Sequence, residues 1–277
     1  MSTVELSALP ARLPQVASTK TPPWSAISAA ACVSLLAYGD PHDIQSQASE
    51  WSCDIRAVDV AEFDVQVLLV RSATEAWVAY RGTQPDKLRD WLDDLDCAHE
   101  GGVWGSQVHS GFRDAMMSAW APVYAFVKDC KAASLPVWLG GHSLGAAMTT
   151  LAAAELFQAG LVPDGVANFG APRAGDATFA KAYDGSLGDR TWRVINNADI
   201  VTRVPPRALG YQHVGRAIHF DAAGRPRIES GSWNHFLDTL SGPIKDLLVW
   251  GAEGLADHSM GKYLSLVLAA DSSSKHN

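Results

Sequence analysis

Apolar and polar positions along this chain fall into two periods. Short runs rich in Val, Leu, Ile and Trp, at Val65 to Arg71, Ala76 to Arg81, Val137 to Gly140, Val166 to Phe169 and Trp192 to Asn196, predict strands. Longer stretches with apolar residues three and four apart predict helices over Ser110 to Cys130, Ser143 to Gln158, Ala174 to Tyr183 and Leu255 to Ala269. Strands alternating with helices of this length imply crossover connections, hence a largely parallel sheet with helices on both faces. An earlier apolar stretch, WSAISAAACVSLLAY from Trp24 to Tyr38, is too short to span a bilayer. It also lacks the basic flank and cleavage site of a signal peptide, so it reads as an alanine-rich buried helix starting after Pro23 and stopped at Gly39. Residues 1–23 are proline-dotted and aperiodic, an extended or poorly ordered arm, and residues 24–277 read as a single α/β domain.

One amphipathic pattern stands apart. In QPDKLRDWLDDLDCAHEGG, Leu88, Trp91, Leu92 and Leu95 occupy one face of a short helix, and Asp86, Lys87, Arg89, Asp90, Asp93 and Asp94 the other. Taken alone this is an ordinary surface helix packed on a core. Its flanks, Gly82 and Pro85 before it and Gly101, Gly102 and Gly105 after it, also suit a segment that moves.

Composition changes this picture little. At 277 residues and 47% hydrophobic content the chain can bury one large core. Its 22 basic and 30 acidic residues leave a net charge of -8, which argues against nucleic acid or an anionic membrane as partner and favours a neutral substrate. The four cysteines, Cys32, Cys53, Cys97 and Cys130, form no CxxC pair, so no zinc or dithiol motif is indicated, and the spacing prefers no disulfide pairing. No metal or organic cofactor is called for. The sequence leaves a secreted and a cytoplasmic location equally open, with no clear signal peptide or membrane span.

Candidate chemistry begins at Gly141 to Gly145, GHSLG, placed between a predicted strand and a small-residue helix. A G-x-S-x-G in that setting makes the turn so tight that only glycine fits beside the serine, and it lifts the hydroxyl to a helix N-terminus that favours negative charge. The alternative is a plain glycine-rich connection; GxGxxG and GxxxxGK[ST] nucleotide motifs are absent. If Ser143 is a nucleophile it needs a base and an orienting acid, which follow it in the order acid, histidine on this fold. His258 opens a C-terminal helix directly after a loop and is the candidate base, with His235 in reserve. His213 and His219 lie in a strand-like pattern that suits structural roles, and His276 is in the tail. Asp199 follows a buried strand and opens a loop, where functional groups gather in open parallel sheets. Asp176, Asp184 and Asp189 read more simply as turn or helix-end residues.

In order along the chain, VAYRGT, VHSGF, GGHSLGAA, NFGAPRAGD, RVINNADIVTRVPP, YQHVG and DHSMGKY together resemble the class 3 lipases, a family of fungal-type triacylglycerol lipases that also holds feruloyl esterases and some phospholipases. The resemblance runs from Ala76 to about Tyr263. It implies an α/β-hydrolase fold, with a central mostly parallel sheet flanked by helices and a short helical lid at about residues 84–100. It implies Ser143 as nucleophile, Asp199 as acid and His258 as base. It also implies an oxyanion hole from Thr83, in Arg81-Gly82-Thr83, and the N–H of Leu144. The lid then carries Leu88, Trp91, Leu92 and Leu95 on its apolar face, with Asp94 as a candidate partner of Thr83 when the lid is open. That apolar face points to a triacylglycerol lipase making transient contact with a lipid–water interface. A phospholipase A1 or feruloyl-type esterase is the alternative, and a non-catalytic lipid-binding protein the remote one.

Overall fold

The computed structural model of the protein describes residues 9–10, 22–229 and 251–275. His235 and His276 lie outside these, as does most of the N-terminal arm. Eight strands form one sheet: β1 (Asp54–Val60), β2 (Val65–Arg71), β3 (Ala76–Tyr80), β6 (Val137–His142), β7 (Gly165–Phe169), β8 (Thr191–Asn196), β9 (Arg216–Phe220) and β10 (Pro226–Glu229), in that spatial order. The centre, from β3 to β9, is parallel, while β1, β2 and β10 pair antiparallel at the two edges. Two short strands, β4 (His99–Gly101) and β5 (Gln107–His109), make a separate hairpin.

The near-continuous apolar runs of the strands follow from burial on both faces. Val67, Leu69, Val78 and Tyr80 point into one core and Leu68, Val70, Trp77 and Ala79 into the other, alternating as the pleat requires. The first core lies beneath α4 (Ser110–Ser118), α5 (Trp120–Ala132), α6 (Leu144–Gln158) and α7 (Ala177–Leu187). The second holds α1 (Trp24–Leu36) against α9 (Met260–Ser274). Every residue of α1 from Ser25 to Leu36 is buried, so this helix is apolar on all sides because it has no solvent side. Its small residues let it lie close to the sheet: a Cβ on Gly140 would stand 3.1 Å from Ser34 Oγ and 3.4 Å from Ala30 Cβ.

Several elements differ from the sequence expectation for local reasons. The single helix expected over residues 110–130 is two, broken at Ala119, because Pro122 cannot donate to a carbonyl one turn earlier and so belongs in the first turn of a new helix. The helix expected from Ala174 starts at Ala177, since Asp176 caps it by accepting from Phe179 N at 2.8 Å. The C-terminal helix is likewise two, α8 (Gly251–Asp257) and α9, parted at His258 and Ser259. Polar edge strand β1 and helix α2 (Pro41–Trp51), which follows an Asp40–Asp43 capping box, carry too little apolar signal to stand out in the sequence. Of the arm, Pro10 is docked: its carbonyl accepts from Trp51 Nε1 at 2.9 Å.

Candidate active site

Ser143 is the single residue between β6 and α6, with φ 58 and ψ −131, a strained conformation for a residue with a Cβ. The glycines around it are there for space. A Cβ on Gly145 would stand 2.1 Å from the Tyr80 carbonyl oxygen, and one on Gly141 would stand 2.4 Å from that of Gly145. A Cβ on Gly82 would meet Ser143 Cβ at 2.8 Å, so the Arg81-Gly82-Thr83 turn presses directly on the elbow. Arg81 holds that turn in place: its backbone N–H donates to Gln66 O at 2.9 Å and its guanidinium to the carbonyl of Asp64 at 2.8 Å, beside an ion pair with the Asp64 carboxylate.

Asp199 lies just beyond the carboxyl end of β8 and His258 in the break between α8 and α9. The structure brings them together: His258 Nδ1 is 2.8 Å from Asp199 Oδ2 and 3.0 Å from Oδ1. The carboxylate also accepts from Val201 N at 2.9 Å and from the Tyr263 hydroxyl, one turn into α9. These donors satisfy the oxygens of a carboxylate that is 1% exposed. Tyr263 is itself locked, accepting from Asn196 N at 3.1 Å, and Asn196 Nδ2 donates to the Asp257 carbonyl at 2.8 Å, so the end of β8 and the start of α9 are sewn together. Burial, then the neighbouring carboxylate, drives the Tyr263 hydroxyl well above its ordinary pKa, so it remains a donor.

Ser143 Oγ and His258 Nε2 are both buried and neither has a hydrogen-bond partner among the described residues. A hydroxyl and an imidazole nitrogen in that state are available to a third group, and apo sites commonly tighten only when it arrives. His142, the residue before Ser143 in the chain, packs against His258. Its Nδ1 is 2.7 Å from the Tyr38 hydroxyl, its Nε2 is 2.7 Å from the His258 carbonyl oxygen, and its ring stacks on that of His258 at 4.4 Å. Burial, reinforced by His258, pushes its pKa well below the ordinary imidazole value.

A cavity of about 930 Å³ opens beside these residues, walled by Tyr38, Thr83, His142, His258 and, from the predicted lid, Pro85, Leu88 and Arg89. The helix in the segment expected to be a lid is α3 (Leu88–Asp93), shorter than the spacing implies, with Leu95 beyond its end. Leu88 and Leu92 are buried against Ile200, Val201 and Val204, in the loop that follows Asp199, and Trp91 stacks on Phe112 at 6.3 Å. The helix is therefore docked over the acid's loop, and Ser143 and His258 are 0% and 2% exposed beneath their surroundings. Asp94 caps the end of the helix through its backbone and is exposed. Thr83 and Leu144 are half-buried on either side of the elbow.

The other candidates go elsewhere. His213 and His219 each meet a backbone carbonyl, those of Thr202 and Asn197. Asp184 accepts from Gly215 N, and Asp189 pairs with Arg216. Among the described residues the group of side chains close enough to share a metal ion is Asp40, His42 and Asp43, the exposed capping box of α2. Tyr38, His142, Tyr263 and Gly170 are residues that sequence reasoning passed over. His142, Tyr263 and Gly170 lie within the motifs GGHSLGAA, DHSMGKY and NFGAPRAGD; at Gly170, with φ +58, a Cβ would stand 2.7 Å from Asp199 Oδ2 and 2.8 Å from His258 Nδ1.

A nucleophile elbow at the carboxyl edge of a mostly parallel sheet, with a buried Asp–His pair beside it, defines an α/β-hydrolase. The model of the class 3 lipases matches residues 77–209, a stretch that holds Ser143 and Asp199. A secreted mono- and diacylglycerol lipase of Malassezia globosa is 40% identical over 114 residues, covering 39% of this chain and 37% of that protein. A phospholipase A1 of Oryza sativa subsp. japonica is 32% identical over 182 residues, covering 55% and 45%. The chain thus spans less than half the length of these curated relatives. Among solved structures, the triacylglyceride lipase of Rhizomucor miehei superposes with a TM-score of 0.69 over 88% of this chain and 98% of that one, at 21% identity, a likeness of fold.

Proposed function

We propose that the protein is a serine-dependent carboxylic-ester hydrolase, a lipase acting on neutral glycerides at a lipid–water interface. The observation that carries the reading is the buried Asp199–His258 pair beside a serine held at φ 58 on a strand-to-helix turn. Asp199 fixes His258 with its proton on Nδ1, leaving Nε2 as the base. Nε2 takes the Ser143 proton as Oγ attacks the ester carbonyl, and the backbone N–H groups of Thr83 and Leu144, with the Thr83 hydroxyl, receive the oxyanion. His258 then returns the proton to the departing alcohol, and a water deprotonated by the same Nε2 releases the fatty acid. Preorganised donors of this kind are commonly worth about 3–4 kcal/mol each in the transition state.

The substrate class rests on α3. Its buried Leu88 and Leu92 and stacked Trp91 cover the acid's loop in water, and moving them onto lipid would retain their burial while uncovering the serine. The net charge of -8 favours neutral over anionic lipid surfaces. A phospholipase A1 is the second reading, favoured by the rice relative. Secretion is supported by the Malassezia relative, a secreted lipase; no helix among the described residues is long and apolar enough to cross a membrane.

A fluorophosphonate probe is expected to label wild type and spare Ser143→Ala; equal labelling of both removes the assignment. Tributyrin, a long-chain triglyceride, a phospholipid and methyl ferulate, each assayed below and above its solubility limit, then separate the substrate classes. The glyceride reading predicts a rise in rate at the triglyceride interface that the ferulate does not show.

A further inference from the structure

Two buried polar residues at the site have no part in the proton transfers just described. Their hydrogen atoms can nevertheless be placed by elimination. The His258 carbonyl oxygen can only accept, so the proton of a neutral His142 ring sits on Nε2 and is donated to it over 2.7 Å. That leaves His142 Nδ1 a lone pair, so the Tyr38 hydroxyl is the donor in the second 2.7 Å contact. Tyr38 Oη in turn lies against Gly82, where a Cβ would stand 2.5 Å from it. The result is a continuous chain from the Arg81-Gly82-Thr83 turn through Tyr38 and His142 to the backbone of His258.

We propose that Tyr38 and His142 form a positioning pair that fixes the backbone and ring plane of His258 relative to both Asp199 and the oxyanion turn. The proposal rests on the ester-hydrolase reading. His258 sits between two helices, in a break that leaves its peptide without a regular helical ladder, and its side chain is held from one end only, by Asp199. The bond from His142 to its carbonyl supplies the second restraint, and the ring stacked at 4.4 Å supplies a third. His142 must be neutral to do this. A proton on Nδ1 would remove the acceptor for Tyr38 and set a second positive ring against the imidazolium that forms on His258 during acylation. The groups around the pair favour the neutral form: burial dominates, and the nearest ionisable neighbours are His258, Tyr263 with its ring 5.8 Å away, and Arg81, whose charge reaches Tyr38. Asp199 and Asp257 lie behind His258 and Tyr263.

The test compares Tyr38→Phe, His142→Phe and His142→Gln with wild type on a soluble short-chain ester, with active sites counted by phosphonate titration. His142→Phe keeps a stacking ring and loses both hydrogen bonds; His142→Gln can restore a donor and an acceptor. The expectation is that kcat per titrated site falls about tenfold in Tyr38→Phe and His142→Phe, as for the loss of a buried hydrogen bond, with KM within twofold of wild type. The double variant is expected to be no slower than His142→Phe alone, because the residues act as one unit, and His142→Gln is expected to recover part of the rate. The acid limb of kcat/KM moves to lower pH, since a base held less closely to Asp199 is less stabilised as imidazolium. If kcat and the acid limb match wild type within twofold and 0.2 pH units, or if only KM changes, the positioning role is overturned. Tyr38→Phe, which removes one oxygen, decides the matter should His142→Phe not fold. A wild type that neither takes up phosphonate nor hydrolyses the ester overturns the hydrolase reading itself, a different result from an active wild type with unaffected variants.

Discussion

Gly170 and Tyr263 show how closely the acid is fitted. A methyl group at Gly170 would enter the space occupied by Asp199 Oδ2 and His258 Nδ1 from a left-handed backbone position that costs an L-residue about 1–2 kcal/mol on its own. Gly170→Ala is therefore expected to lower kcat on a soluble ester at least about a hundredfold, the scale of a 1 Å misplacement of a reacting group, while losing about 1–2 kcal/mol in urea unfolding. Full activity in that variant would mean that the Asp199–His258 contact is not needed. Tyr263→Phe takes one donor from a carboxylate that is 1% exposed and is expected to cost about 1.5–3 kcal/mol of stability, read from the same unfolding curves.

At the scale of elements, α3 and α4 make separate predictions. If α3 covers the site through its apolar face, Leu88→Ser with Leu92→Ser removes the side chains buried against Ile200, Val201 and Val204. The double variant is expected to hydrolyse monomeric tributyrin several-fold faster than wild type and to show a smaller jump at the emulsion. A wild-type-like jump would detach these leucines from interfacial behaviour. At the start of α4, His109 accepts from Phe112 N and stacks on the Phe112 ring at 3.7 Å, and burial lowers its pKa to about 4. The folded ring is thus neutral where the unfolded one, near its ordinary 6.5, takes up a proton. Stability is level above pH 6.5 and falls as pH drops from about 6.5 to about 4, by up to about 3 kcal/mol from this residue. His142 and His213, also lowered by burial, act in the same direction. Unfolding free energy measured at pH 7 and pH 5 should differ less in His109→Asn, which keeps a capping acceptor without the titrating ring.

For the whole molecule, the sheet is a partition. Cys32 lies in the core on one side of it and Cys130 in the core on the other, and all four cysteines are free thiols. The melting temperature is accordingly expected to be the same with and without dithiothreitol; a drop of several degrees on reduction would point to a disulfide. The α1 interface is a close helix–sheet contact, with small residues facing Gly140. Ala30→Leu is expected to overpack it and cost about 1–3 kcal/mol, seen as a lower melting temperature with little change in kcat.

What could be read without coordinates was whatever a residue's near neighbours decide. The period of the apolar positions marks the central strands and the elbow helix. The steric demand of one turn explains Gly141 and Gly145, and the order serine, acid, histidine narrows the choice to Asp199 and His258. Element ends were less legible where a single residue overrides the period, as Pro122 does in splitting α4 from α5 and Asp176 in delaying α7. The tertiary structure decided the contacts between residues far apart in the chain: Tyr38 on His142 across 104 positions, Tyr263 on Asp199 across 64, and Leu88 and Leu92 on the loop after Asp199. The leucines show their period but not the surface they bury against, and the two polar contacts leave no local periodicity, because the force that selects them is the need of a buried polar group for a partner. That partner is supplied by whichever element the fold happens to bring alongside.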